Sequence, residues 1–277
     1  MTPQALLRET TALFLAAGIP DPAWDSALLL AHLTGKPPLN LRMDMDTQLE
    51  EATLAQFFAL REQRLQRIPL QYLTHEQSFM GHTFYVDDRV LIPRPETELL
   101  TELAIAELRK LPAPAALDLC CGSGCISTSM ALAVPQADVH AADLSTGALA
   151  VTKRNAETLG ARVTLHQGDL FAAVEGLRFD LIISNPPYIP TQDCRALQTE
   201  VMQEPAMALD GGSDGYDFYR RIANEAPLHL NASGVVLLEV GFDQAETVEQ
   251  LMQAAGFRTT CIHKDLQGIS RMVEAHL

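Results

Sequence analysis

Five consecutive residues, Ser184-Asn185-Pro186-Pro187-Tyr188, carry the most specific chemistry in this 277-residue chain. A planar amide nitrogen is a poor nucleophile, because its lone pair is delocalised into the neighbouring π system. To make it attack, a site must accept hydrogen bonds from its N–H groups in fixed directions and leave the lone pair facing an electrophile. The Asn185 side-chain carbonyl and the Pro186 main-chain carbonyl are two such acceptors, and the rigid Pro186-Pro187 dipeptide fixes their directions. Tyr188 adds a flat face against the amide plane. Asn185, Pro186 and Tyr188 are therefore the candidate catalytic groups, and Asn185, Pro186, Pro187 and Tyr188 the candidate substrate-binding set. Taken alone, Asn-Pro also marks ordinary turns, and a plain turn is the competing reading.

These residues need a scaffold. Phe179-Asp180-Leu181-Ile182-Ile183 reads as a buried strand, so the motif falls at a strand's carboxyl end. Ala116 to Cys120 reads as another, followed by Cys121-Gly122-Ser123-Gly124 and a helical stretch from Cys125 to Leu132. Strand, glycine turn and helix in that order form a nucleotide-binding unit, in which glycine lets the backbone approach a ligand. The next strand, Val139 to Asp143, ends in an acid 19 positions after Gly124. That spacing suits a carboxylate accepting ribose hydroxyls, at roughly 1.5–3 kcal/mol for a charge-assisted bond. A dinucleotide fingerprint needs a third glycine where this chain has Ser127. Asp118-x-Cys120-x-Gly122-x-Gly124 looks more like the loop of S-adenosylmethionine enzymes. Paired with the Asn-Pro-Pro-Tyr run two strands later, it points to a methyltransferase.

Further stretches fit one pattern: Gln71-Tyr72, Phe84-x-Val86, Leu91-Ile92-Pro93-Arg94-Pro95-Glu96-Thr97-Glu98 and Lys264-Asp265-Leu266-Gln267-Gly268. With the glycine loop, Asp143 and the Asn-Pro-Pro-Tyr run, they resemble the HemK-type N5-glutamine methyltransferases of peptide chain release factors over nearly the whole length. The resemblance implies an α/β fold: a doubly wound methyltransferase sheet of seven strands, the last antiparallel, after a small helical domain and a β-hairpin linker. It implies S-adenosyl-L-methionine as cofactor, with S-adenosyl-L-homocysteine as product. The implied cofactor residues are Asp118, Cys120, Cys121, Gly122, Ser123, Gly124, Asp143, Asp169, Leu170 and Asn185. The implied substrate is the glutamine of the Gly-Gly-Gln loop of class I release factors. Two departures stand out. Family members often carry Gly-Thr-Gly-Thr-Gly where this chain has Cys120-Cys121-Gly122-Ser123-Gly124, and some have an aromatic residue at the place of Leu170. Three rivals remain: methylation of a glutamine in a large-subunit ribosomal protein, adenine-N6 methylation of nucleic acid, and a non-catalytic module that binds S-adenosylmethionine.

Composition bounds the partners. With 47% hydrophobic residues the chain can bury one large core and a smaller one. No apolar run reaches the ~20 residues of a membrane span, and the amino terminus lacks a signal-peptide pattern, so a cytoplasmic protein is expected. A monomer is the default expectation, with no residue pattern behind it. Five cysteines without framework spacing suggest reduced thiols. Cys120, Cys121 and Cys125 read as small packing residues, with no metal site expected. Of the net charge of −15, residues 1–70 hold −2 (six basic, eight acidic) and the remainder −13. Such a field attracts a basic protein and repels nucleic acid, so no direct nucleic-acid contact is expected.

Residues 1–70 read as a helical, substrate-recognising domain, 71–95 as the hairpin linker and 96–277 as the methyltransferase domain. In the first, Leu6, Leu7, Thr10, Leu13 and Phe14 recur at helical spacing and Gly18 ends the helix. Asp21-Pro22 opens a second, with Ala27, Leu28, Leu30 and Ala31 buried and Gly35 after it. Leu49 to Arg67 is a third, with Arg61, Arg64 and Arg67 along one side, either complementing the helix dipole or docking a partner. Pro93-Arg94-Pro95 leads into a helix whose first-turn acids, Glu96 and Glu98, suit its positive end. Ile189 to Gly215 reads as a long lid-like loop. A helix over Tyr216 to Leu228, a strand at Val235 to Val240, a helix from Gln244 to Ala255 and strands near Arg258–His263 and Arg271–Ala275 complete the chain. No histidine is assigned to chemistry.

Overall fold

The computed structural model describes residues 1–277, and none of its helices is long and apolar enough to cross a membrane. Two compact units emerge, Met1–Glu76 with Gln198–Gln203, and Gln77–Leu197 with Glu204–Leu277.

The first unit is helical: α1 (Pro3–Ala16), α2 (Pro22–Thr34), α3 (Pro38–Met43), α4 (Glu51–Leu65) and α5 (Leu70–Thr74). Thr2 caps α1 by accepting from the Ala5 N–H, and Gly35 ends α2 in the left-handed conformation that favours glycine. Leu6, Phe14, Leu29, Leu30 and Phe57 are fully buried at its centre. Leu13, expected in this core, is exposed, and Leu28 and Ala31 are only half-buried while Leu29 takes the inward place. The short α3 and α5, of six and five residues, carry no periodic signal in the sequence. The three arginines have a use that neither sequence reading foresaw. Arg64 is buried and reaches Asp25 (2.8 Å) and Glu200 (3.0 Å), while Arg67 reaches Glu200 (2.6 Å) and Arg61 reaches Glu9 (3.2 Å). Burial raises the carboxyl of Asp25 despite the Arg64 partner.

The second unit opens with a tight hairpin of β1 (Gln77–Phe79) and β2 (His82–Phe84), turning through Met80 and Gly81, both at positive φ. Next come α6 (Pro95–Leu108), β3 (Ala115–Leu119), α7 (Cys125–Ala133), β4 (Asp138–Asp143), α8 (Thr146–Leu159), β5 (Thr164–Gln167) and β6 (Phe179–Ser184). The unit ends with α9 (Asp217–His229), β7 (Leu230–Glu239), α10 (Ala245–Ala254), β8 (Thr259–Lys264) and β9 (Ser270–His276). Seven strands form one sheet in the order β5-β4-β3-β6-β7-β9-β8, parallel except for β9, which pairs antiparallel with β7 and β8. Both faces are covered, as parallel strands require. Ile182 and Leu238 point to a core shared with Tyr219 and Ile222 of α9 and Val248 of α10. Their neighbours Leu181, Ile183 and Leu237 point to the opposite core with Leu100 of α6 and Ile126 of α7. The hairpin packs there too, through Phe79 and Phe84, so it belongs to the body of this unit. Glu98 holds its turn by accepting from the Met80 N–H (2.6 Å), a role beyond the helix-end charge expected of it.

Candidate active site

Strand order places the site. From β3 the chain moves outward to β4 and β5, then returns to β6 on the other side of β3. Ligands of such sheets bind at that switch point, beyond the carboxyl ends of the strands. The register then decides which residues meet there. Leu119 pairs with Ala142 on one side and Ser184 on the other, Asp143 with Gln167, and Ser184 with Leu238. One step beyond the level of Leu119, Asp143, Cys120, Asn185 and Glu239 follow one another along the sheet edge, and Gly168 comes one step past Gln167, the partner of Asp143.

A cavity of about 230 Å³ opens at this edge. Cys120, Gly122, Asp143, Asp169, Leu170, Asn185 and Pro187 line it, so seven of the residues singled out from sequence come together. Asp118, Cys121, Ser123, Gly124, Pro186 and Tyr188 do not line it; Asp118, Cys121 and Ser123 are buried. The wall that sequence reading missed comes from distant segments: Arg89 to Leu91, Met207 and Ala208, and Phe218 with Arg221. Arg221 pairs with Asp169 (2.9 Å) at the rim. Two non-glycine residues of the lining, Cys120 (φ 59°) and Leu170 (φ 50°), hold left-handed backbone, a strained state that clusters at functional sites.

The glycine loop fits a nucleoside-bearing ligand with a cationic end. Gly122 is left-handed (φ 55°), and a Cβ there would meet only the Cys120 carbonyl, at 4.0 Å, leaving open space over the loop. Asp143 holds the loop by accepting from Gly122 N–H (3.0 Å) and Ser145 N–H (2.8 Å), and it still has lone pairs for hydroxyl groups. Asp118 accepts from Ser127 N–H through Oδ2 (3.0 Å), while its buried Oδ1 has no partner. Burial pushes this carboxyl up to about 7, against the Ser127 bond, so a positive group nearby would relieve it.

Around the Asn-Pro-Pro-Tyr run the structure is over-determined. Ser184 Oγ donates to the Leu119 carbonyl (2.7 Å), tying the strand end to β3. Gln244 Nε2 donates to the Tyr188 carbonyl (3.0 Å). The long loop returns at Leu209 to Gly212 and pairs with Ile189 to Thr191. A Cβ at Gly211 would lie 2.7 Å from Tyr188 Cα and 2.9 Å from the Pro187 carbonyl, so only glycine allows that approach. Glu204 anchors the same loop by accepting from Ile92 N–H (2.9 Å) and pairing with Arg94. The Asn185 side chain donates from Nδ2 to Thr97 Oγ1 (3.2 Å), which donates to the buried carboxylate of Glu239 (2.6 Å). This leaves Asn185 Oδ1 as an acceptor. Neither Thr97 nor Glu239 was given this role from sequence. A lone acid inside the apolar run Val235 to Val240 was the available signal.

Comparison with known proteins agrees with this architecture. The family model described as "Methyltransferase small domain" matches residues 96–250, and "PrmC N-terminal domain" matches residues 5–74. A release factor glutamine methyltransferase of Geobacter sulfurreducens is 45% identical, covering 92% of this chain and 90% of its own. A ribosomal protein uL3 glutamine methyltransferase of Bordetella pertussis is 42% identical, covering 81% and 77%. Among solved structures, a methyltransferase from Pyrococcus furiosus shares the fold, with a TM-score of 0.53 at 16% identity over 82% of this chain and 98% of its own. With seven similar relatives of the first kind at 35–45% identity over 91–100% of its length, the chain belongs to the release factor glutamine methyltransferase family.

Proposed function

We propose that this enzyme transfers the methyl group of S-adenosylmethionine to the side-chain amide nitrogen of the glutamine in the Gly-Gly-Gln loop of class I release factors. The observation that carries the reading is the fixed orientation of Asn185: with Nδ2 committed to Thr97, Oδ1 is free to accept. Bound S-adenosylmethionine supplies an electrophilic methyl carbon on a sulfonium. Asp143 would accept its ribose hydroxyls, Gly122 would admit its methionine part, and the buried, unpaired Asp118 oxygen would act as a counter-charge from outside the cavity lining. Asn185 Oδ1 and the Pro186 carbonyl accept the two N–H groups of the substrate amide, which fixes the amide plane and turns the face bearing its lone pair toward the cofactor side. Such positioning, set up before reaction, is the largest contribution this chain makes. The methylated amide nitrogen is strongly acidic and releases its proton to water, so no side-chain base is required.

The decisive assay incubates the protein with methyl-labelled S-adenosylmethionine and, separately, a purified class I release factor, ribosomal protein uL3 and DNA. Label on the release factor, lost when its Gly-Gly-Gln glutamine is replaced, is the expected result. Preferential labelling of uL3 or of DNA would overturn the assignment.

A further inference from the structure

A carboxamide can sit either way round, and its two orientations are chemical opposites: one offers an acceptor oxygen, the other a donor NH₂. A substrate amide that must surrender its N–H bonds needs the oxygen. Something must choose, and the choice cannot come from Asn185 itself.

We propose that Thr97 and Glu239 are positioning residues that set the polarity of Asn185, and that ionised Glu239 is what makes Asn185 an acceptor. The inference rests on the amide-nitrogen reading above. The hydroxyl of Thr97 has one proton to give. While it is directed at Glu239 Oε2 (2.6 Å), its oxygen can only accept, and the group in reach is Asn185 Nδ2 (3.2 Å). Oδ1 is then left for the substrate. Protonation of Glu239 reverses the chain: its O–H gives to Thr97, the hydroxyl proton turns toward Asn185, and the carboxamide is stabilised with its oxygen inward. The acceptor is lost without any change of backbone.

The surroundings support a switchable carboxyl that is rigidly placed. Glu239 is the last residue of β7, one step past the Ser184–Leu238 pair, and Tyr219 Oη of α9 donates to its main-chain carbonyl (2.8 Å). Thr97 is buried in the first turn of α6, where Thr101 Oγ1 donates to its carbonyl (2.8 Å). The titratable or charged groups that act on Glu239 or feel its charge are Glu96 of α6, Arg94 before it, Arg271 of β9, Tyr188, Tyr219 of α9 and Cys125 of α7. Burial and Glu96 push the carboxyl up to about 7, against Thr97, Arg271 and Arg94. Its ionised form therefore predominates above neutrality and declines as pH falls below it.

The test uses the full chain with a release factor at saturating S-adenosylmethionine. Wild-type kcat is expected to fall on the acid side with an inflection near that of Glu239. Thr97→Val, nearly isosteric, is expected to lower kcat roughly 10- to 100-fold. It should leave affinity for S-adenosylmethionine close to wild type, lower the melting temperature by no more than the few degrees that the lost Glu239 hydrogen bond costs, and remove the acid limb. Thr97→Ser is expected to recover both rate and limb, and Glu239→Gln to lose the limb. Independently of turnover, the ¹⁵N-labelled side-chain amide of Asn185 should shift with pH in the wild type and stay constant in Thr97→Val. A wild type that never labels release factor removes the amide reading while the amide-shift titration still reports on the relay. An active wild type whose acid limb and amide shift survive in Thr97→Val overturns the relay alone. Failure of Thr97→Ser to recover, or loss of melting temperature in step with rate, overturns it in favour of packing.

Discussion

At the scale of single residues, two side chains carry separable tasks. In the proposed reaction Asn185 meets the substrate, so Asn185→Ala is expected to cut turnover by about 10²-fold or more while S-adenosylmethionine affinity, measured by calorimetry, stays within a few-fold. Asp118 ties β3 to the first turn of α7 at a cost in stability. Its folded pKa, about 7, lies above its ordinary value of 3.8, so the folded state binds more protons between those values. Stability is accordingly highest below the unfolded pKa and falls as pH rises toward the folded one, levelling off above it. Asp118→Asn keeps an oxygen for the Ser127 N–H and discards the charge. Its melting temperature should exceed that of wild type by an increment that grows from about pH 4 to about pH 7 and then stays constant. An increment equal at both ends of that range would show that desolvation of Asp118 is not the cause.

At the scale of elements, the approach of the Leu209–Gly212 segment to the Asn-Pro-Pro-Tyr run is the tightest constraint. Gly211→Ala forces a methyl within 2.7 Å of Tyr188 Cα, and backbone rather than a flexible side chain must move. We expect kcat to drop at least tenfold with a smaller change in S-adenosylmethionine binding, readable in single-turnover kinetics. Elements bearing the site were legible because their signals are local. Apolar runs such as Phe179 to Ile183 are buried on both faces, and Gly122 announces the turn that needs it. The relay partner Thr97 lies 88 positions from Asn185, and Glu239 lies 142 from Thr97. No local pattern reports pairing over such distances, and the same holds for the cavity wall from Arg89 and Met207. Helices α3 and α5, of six and five residues, are too short to show a period, and Pro37-Pro38 reads as a turn.

At the scale of the whole molecule, charge is the property that reaches furthest. The excess of −13 on residues 71–277 would draw a basic partner protein by a field that salt screens over about 10 Å at 0.1 M. Raising ionic strength from about 0.05 to about 0.3 M should therefore raise KM for the release factor several-fold and leave kcat unchanged. A KM indifferent to salt would make the acidity a matter of solubility alone. Composition revealed this imbalance, yet not that Gln198–Gln203, midway through the catalytic sequence, packs with the helical unit, because Glu200 looks like any surface acid until Arg64 and Arg67 are seen around it. The shared level at which β5, β4, β3, β6 and β7 end has a consequence for how this protein can change. Adding or deleting one residue within β6 would swing Asn185 to the reverse side of the sheet, since side chains alternate with a period of two. The connections entering those strands, such as Pro112–Pro114 and Gly176–Arg178, sit at the far end from the chemistry. Length variants there are expected to stay active, whereas a single-codon indel in β6 is expected to abolish turnover and, by exchanging the core-facing sides of Leu181 to Ile183, to lower the melting temperature as well.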